Sequence, residues 1–155
     1  ILYDHFFEIG NEFNLRPGNP NHPERIEGGL LSYGNDMDLG DNPFECGFDK
    51  YVNVESDIVF LGKEKLKEIK KKGVNRRLMG VKINSPAINI TEWIPIVDTN
   101  NNLIGELRSA AYSPKFKKIV GISMIKKDFC KEGQKFQVKL NGKFLLGEVC
   151  NLPIK

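Results

Sequence analysis

Apolar positions change their period three times along this chain, and each change marks a different kind of structure. Leu2, Phe6, Ile9 and Phe13 recur at intervals of four, three and four residues, the spacing of one face of an α-helix. The stretch RPGNPNHPER that follows carries Pro17, Pro20 and Pro23 and reads as a loop from which helix is excluded. Ile26 to Tyr33 then reads as a strand, followed by the turn chemistry of Gly34-Asn35. An acid-rich loop runs through Asp36, Asp38 and Asp41 and returns by Pro43 to Phe44 and Glu45. A second strand is expected from Gly47 to Val54. Helical spacing returns from Gly62 to Lys72, with Leu61, Leu66 and Ile69 as the residues to be buried and Gly73 as a left-handed stop after a lysine-rich last turn.

From Arg77 onward the pattern becomes one of short β runs. LMGVKI, IPIVD, LIGELRSAAY, IVGISMI, KFQVKL and KFLLGEVC are separated by Asn, Gly and Pro, and Asn141-Gly142 between the last two is a strong hairpin signal. Six short strands at this spacing predict a small antiparallel barrel or sandwich, whose edges need closure or cover. The opening helix needs a sheet or a second helix over its apolar face, and too little sequence precedes it to provide one. The chain is therefore expected to be the C-terminal part of a longer protein.

Composition narrows the function classes. At 155 residues and 40% hydrophobic, the chain can bury one sizeable core or two small ones, which excludes a disordered segment. No apolar run approaches the length of a bilayer span, and Asp4 and Glu8 stand where a signal peptide would be cationic and then apolar. The expected compartment is the cytoplasm, with no membrane partner. Cys46, Cys130 and Cys150 are odd in number, widely spaced and without a CxxC or a nearby histidine pair, so they read as free thiols with no metal site. His5 and His22 lie in no nucleophile motif, which leaves no ground for a hydrolytic triad. The net charge of +3 hides a crowd of Lys63, Lys65, Lys67, Lys70, Lys71, Lys72, Arg76 and Arg77. This reads as a solvated helix face whose end could meet an anionic ligand. The aromatic interleaving of a single-strand nucleic-acid platform is missing, so no nucleic-acid partner is expected.

The stretch from Arg25 to Glu45, RIEGGLLSYGNDMDLGDNPFE, joins an apolar run, an aromatic, a Gly-Asn turn and a carboxylate, and looks like half of a binding site. With GKEKLKEIKKKGVNRRLMGVKI (62–83) and GELRSAAYSPKFKKIVGISMI (105–125), it resembles the aminomethyltransferase family, the tetrahydrofolate-dependent T-protein of glycine cleavage and its relatives. The resemblance runs from about Leu15 to Pro153. Within the family, the wording NPFECGFDKY, LGKEKLKEIK, ELRSAAYSP and MIKKDF is closest to the dimethylsulfoniopropionate demethylases. The implied fold is α+β: the end of a folate-binding α/β-sandwich core over residues 1–60, a connecting helix over 61–75, and a small antiparallel β-barrel C-terminal domain over 76–155.

The resemblance also implies tetrahydrofolate as cofactor. Its pterin edge presents adjacent N–H donors, its ring presents π faces and its tail presents carboxylates; a carboxylate, an aromatic and an arginine fork answer these in turn. Glu45 matches the family's carboxylate in a P-x-E segment, and Tyr33 matches the tyrosine of its LYGND motif. Arg76 or Arg77 matches a basic pair that contains a folate-contacting arginine. Alternation favours Arg76, because it puts Arg77 and Met79 on one strand face and Arg76 and Leu78 on the other. Each candidate also has a plain structural reading: a strand-end charge, edge packing and a salt bridge.

Arg108 to Pro114 stands where the T-protein has TSGxxSPTLGK. Arg108 and Ala110 replace Thr and Gly, and Phe116 with Lys117 replaces Leu-Gly, which favours the demethylase branch over glycine cleavage. Trp93 is either part of an aromatic face for a sulfonium or, the commoner role for a lone Trp in a β domain, a packing residue. Methyl transfer from a sulfonium needs no metal or strong base, so no catalytic residue is singled out. The expected partner is a small-molecule sulfonium substrate, with room for a homodimer. The alternatives are a glycine cleavage aminomethyltransferase, a β module without a ligand, and a non-catalytic folate-binding protein of iron–sulfur cluster maintenance. Proteins of that last kind carry K-G-C-Y-x-G-Q where this chain has FLGKEKL.

Overall fold

The computed structural model describes every residue except 19, 20, 88, 89, 91 and 141. Each of the six predicted β runs is a strand: β1 (Arg76–Ile83), β2 (Ile94–Val97), β3 (Leu103–Ser113), β4 (Lys118–Lys126), β5 (Lys135–Leu140) and β6 (Lys143–Cys150). They pair antiparallel in the order β1-β4-β3-β2-β5-β6, and β6 returns to β1 to close a barrel. Among the described residues, closure gives every strand of the barrel a partner on both sides, which answers the need raised by so many short strands. Leu140 pairs with Lys143 at the end of the β5–β6 ladder and Gly142 has φ +76°; Asn141, the other residue of the hairpin signal, lies outside the described residues.

Strand alternation sends one set of side chains into the barrel. Met79, Val81 and Ile83 of β1, Ile119 and Ile125 of β4, Phe136 and Val138 of β5, and Val149 of β6 meet there with Ile96, Ile104 and Leu107. Phe136 is fully buried, and a Cβ built at Gly147 on the neighbouring strand would run into its ring. The glycine is therefore the space that the phenylalanine fills. Leu78 of β1 and Val120, Ile122 and Met124 of β4 point the other way, into a second cluster with Ile26, Cys46, Cys150 and Ile154. Burial on both faces explains why β4 reads as the near-continuous apolar run IVGISMI.

Among the described residues, three α-helices precede the barrel. α1 (Leu2–Gly10) forms as its spacing predicts and runs into a 3-10 turn over Asn11–Phe13. Its apolar face is uncovered in this chain: Leu2, Phe6, Ile9 and Phe13 are each more than half exposed. α2 (His22–Glu27) overturns two expectations, the helix-free proline loop and the strand from Ile26 to Tyr33. Asn21 caps it, its Oδ1 accepting from Glu24 N at 3.3 Å, and Pro23 occupies the first turn, where a missing N–H is not needed. Pro20 lies outside the described residues. Beyond α2 the chain turns through Gly29 at φ +67°, and Tyr33 makes only an isolated bridge with Met37.

The strand expected from Gly47 to Val54 is likewise not formed; Asp49–Tyr51 is a 3-10 turn. Asn42 begins the turning by accepting from the backbone of Phe44 and Glu45 at 3.1 Å each. α3 (Lys63–Lys72) ends as expected at Gly73, whose φ is +77° and whose N–H donates to Ile69 O. Its burial corrects the reading: Leu66 and Ile69 are only half-buried and Leu61 is fully exposed. The three cysteines are free thiols, and burial pushes Cys46 and Cys150 up to about 11. Among the described residues, no helix is long and apolar enough to cross a membrane.

Candidate functional site

The site is built where the loop from Ser32 to Glu45 lies against the outer wall of β3. Strand β3 carries a bulge there: Leu107 pairs with Ser123 and Ser109 with Ile122, leaving Arg108 as an extra residue. A bulge re-aims a side chain, and Arg108 turns outward beside Glu106. Its Nε and Nη2 donate to Glu106 Oε1 at 3.0 and 2.7 Å. Nη1 and Nη2 also reach Asp41, at 2.5 Å to Oδ2 and 3.1 Å to Oδ1, and Nη1 donates to Asp36 O at 2.9 Å. Both side chains of the Arg108–Asp41 pair are 1% exposed. Such a pair is tolerable only because nearly every donor has an acceptor.

Asp41 is the hub. Burial raises its pKa, but the hydrogen bond from Arg108, the backbone N–H of Asp38 and the charges of Arg108 and Arg76 outweigh that and hold it below 3.8. Arg76 Nη2 donates to Asp41 Oδ1 and to Gly40 O at 3.0 Å each, and its Nε donates to Glu45 Oε1 at 3.0 Å. Glu45 Oε2 accepts from Asn42 N at 3.0 Å. A second knot ties the loop's beginning: Arg25 donates to Asp36 Oδ2 at 2.6 Å, Leu30 O at 2.8 Å and Ser109 Oγ at 3.2 Å. Asp36 is fully buried, and its Oδ1 is without a partner among the described residues.

Beside this network opens a cleft of about 700 Å³, lined by His22, Asn35, Asp38, Trp93, Arg108 and Tyr112 among others. Trp93 forms part of its wall. The Arg108 guanidinium lies 3.9 Å from the centre of the indole ring, and Nε1 donates to Asn35 O at 2.7 Å. The Trp93 ring thus already holds a cation, and it joins the loop to the barrel as a packing residue.

The three sequence candidates occupy different situations. Tyr33 is 64% exposed, next to the Gly34-Asn35 turn at the cleft. Glu45 and Arg76 are brought together, and with each other: Nε and Nη2 of the arginine donate to Glu45, Asp41 and Gly40, Nη1 has no partner among the described residues, and both oxygens of Glu45 have partners. Arg77, on the opposite strand face, pairs with Asp49 at 2.7 Å. The Tyr33 ring is open and the Arg76 side chain is 36% exposed, whereas the Glu45 carboxylate is 12% exposed with both oxygens engaged. Sequence reading missed Arg25, Asp36 and Asp41 as an arginine–carboxylate frame. The available signal was an arginine inside the apolar run of β3 together with an acid-rich loop that needed counter-charges.

Comparison with known proteins bears on the whole arrangement. Residues 76–154 match the family described as glycine cleavage T-protein C-terminal barrel domain. The chain is 34% identical over 138 residues to dimethylsulfoniopropionate demethylase DmdA of Ruegeria pomeroyi, covering 89% of this chain and 37% of that protein. It is 32% identical over 119 residues to an aminomethyltransferase of Synechococcus sp., covering 77% of this chain and 33% of that one. Among solved structures, the glycine cleavage system aminomethyltransferase T from Bartonella henselae matches with a TM-score of 0.77 at 26% identity, over 85% of this chain and 37% of that chain. The chain therefore spans 33–37% of the length of these relatives. The family match begins at the first residue of β1 and runs past the last of β6, so the closed barrel makes this chain a member of the glycine cleavage T-protein family, carrying its C-terminal barrel domain.

Proposed function

We propose that this chain belongs to a tetrahydrofolate-dependent transferase that moves a methyl group from dimethylsulfoniopropionate to N5 of tetrahydrofolate. Residues 1–60 would close the folate-binding core, residues 61–75 connect, and residues 76–155 form the barrel. The observation that carries the choice of donor is Arg108. It stands where the T-protein pattern has Thr, and here it is committed to Asp41, Glu106 and the face of Trp93. The 34% identity to a dimethylsulfoniopropionate demethylase over 89% of the chain supports the same reading.

On this chain the folate contacts fall to Tyr33, Glu45 and Arg76: Tyr33 offers an open ring, Arg76 its part-exposed guanidinium, and Glu45 a carboxylate that meets ligand when its pair with Arg76 opens. The protein's work in such a reaction is alignment in a dry site, because the sulfonium leaves as a neutral thioether and the attacking amine is neutral near pH 7. A small-molecule sulfonium substrate in the cytoplasm completes the reading. A second reading, glycine cleavage aminomethyltransferase, is favoured by the likeness to the Bartonella henselae structure.

The test uses the complete reading frame, offered tetrahydrofolate with dimethylsulfoniopropionate, and identifies the folate product by mass. Appearance of 5-methyl-tetrahydrofolate with a demethylated thioether is the expected result. Folate binding without methyl transfer overturns the choice of donor and passes the protein to the second reading or to a non-catalytic folate-binding role.

A further inference from the structure

The outer wall of the barrel carries a charge arrangement that the proposed transferase reading does not use. Glu148 of β6 has a lysine directly opposite on each neighbouring strand, Lys82 of β1 and Lys135 of β5. Cross-strand neighbours of this kind stand about 5 Å apart at Cβ. Lys135 Nζ lies 2.7 Å from Glu148 Oε2, and Lys118 of β4 approaches the other oxygen at 3.9 Å. The Lys82 ammonium is steadied by donation to the Lys155 backbone oxygen at 2.6 Å and lies 5.0 Å from the centre of the Phe116 ring. Two ammonium groups, from β4 and β5, thus flank one carboxylate, and a third, from β1, stands at the same hollow, an excess of two positive charges. They border a hollow of about 450 Å³ whose lining adds the polar side chains of Asn84 and Thr99.

We propose that Lys82, Lys118 and Lys135 form a binding site for an oxyanion ligand carrying two or more negative charges, a phosphate compound or a polycarboxylate. Glu148 acts there as the resident counter-ion, showing where an anionic oxygen sits between Lys118 and Lys135. Its pKa is lowered, first by the hydrogen bond from Lys135 and then by the charges of Lys135, Lys118 and Lys82, so it is ionised when the site is empty of other anions. The like charges around it are only partly neutralised, which favours a ligand of higher charge. The proposal is independent of folate or methyl transfer, and its failure would leave the transferase reading untouched.

The test is titration calorimetry of the chain at low salt with inorganic pyrophosphate and, separately, with tri-glutamate. Binding of either probe should weaken about tenfold in Lys118→Gln/Lys135→Gln, as removing two exposed ion contacts implies. It should tighten in Glu148→Gln, which removes the competing carboxylate. Lys65→Gln/Lys71→Gln on α3 makes the same change in net charge elsewhere and should leave affinity within about twofold. Binding of pyrophosphate alone assigns a phosphate compound, and binding of tri-glutamate alone a polycarboxylate. No binding of either probe, equal weakening in the α3 control, or weakening in Glu148→Gln would overturn the site. Circular dichroism of each variant verifies that the barrel is intact.

Discussion

The inside of the barrel and the outer wall of β3 are held by opposite means. Within the barrel, Met79, Val81, Ile83, Phe136, Val138 and Val149 are packed against one another by volume. On the outer wall, three arginines (25, 76 and 108) are interleaved with four carboxylates (36, 41, 45 and 106) and fix a loop to a strand by hydrogen-bond geometry. The difference lies in what each region tolerates. An apolar core accepts substitutions that keep volume, whereas a buried ion pair accepts both of its members or neither.

The sharpest break on the inside is Phe136→Ala, which empties the space beside Gly147 and should cost about 4 kcal/mol in urea unfolding. A loss below about 1 kcal/mol would mean that the barrel collapses onto the gap and is not volume-limited. On the outside, Asp41→Asn leaves the Arg108 charge, 1% exposed, with Glu106 as its sole carboxylate, and should cost about 3 kcal/mol. The paired change Asp41→Leu/Arg108→Met should recover most of that loss, because the desolvated charges vanish together. If the double variant is as unstable as the single one, the frame is not held by pairing and the contrast with the core fails.

Acid provides a gentler probe of the same contrast. The Asp41 pKa is lowered on folding, so its contribution is fully present above the unfolded value near 3.8 and is lost as pH falls through the lower folded value. Stability should therefore decline below about pH 4, and the decline should flatten in Asp41→Asn when melting temperature is followed against pH. An unchanged acid limb would remove Asp41 as its source. The smallest effect is expected on α3, where Lys65 pairs with Glu68 in full solvent contact. Lys65→Gln should change unfolding free energy by less than about 0.5 kcal/mol, and a larger loss would mean that this helix is more than a solvated face.

The barrel was legible because its strands are short apolar runs separated by Asn, Gly and Pro, from LMGVKI to KFLLGEVC. The segment before it was not. Pro23 carries a helix-breaking reputation that applies to a helix interior, while its actual place is the first turn after Asn21. The apolar run after Ile26 looked like a strand, yet Gly29 takes a left-handed conformation and Leu30 is 66% exposed, so the segment wraps over the barrel without joining its ladder. The candidate site was legible as a neighbourhood and only partly as contacts. Glu45 and Arg76 were named for a ligand's donors and acceptors, and the fold pairs them across 31 residues of chain.

Taken alone, the order of residues settles the six strands and the resemblance to a family, because these depend on composition and wording within short stretches. Which charges meet is a different matter. The pairing of Arg108 with Asp41 spans 67 residues and requires a bulge, a turned loop and the exclusion of water at one point. Only the folded chain brings those three together, since a side chain's local sequence carries its charge but not the dielectric around it or the partner that will neutralise it.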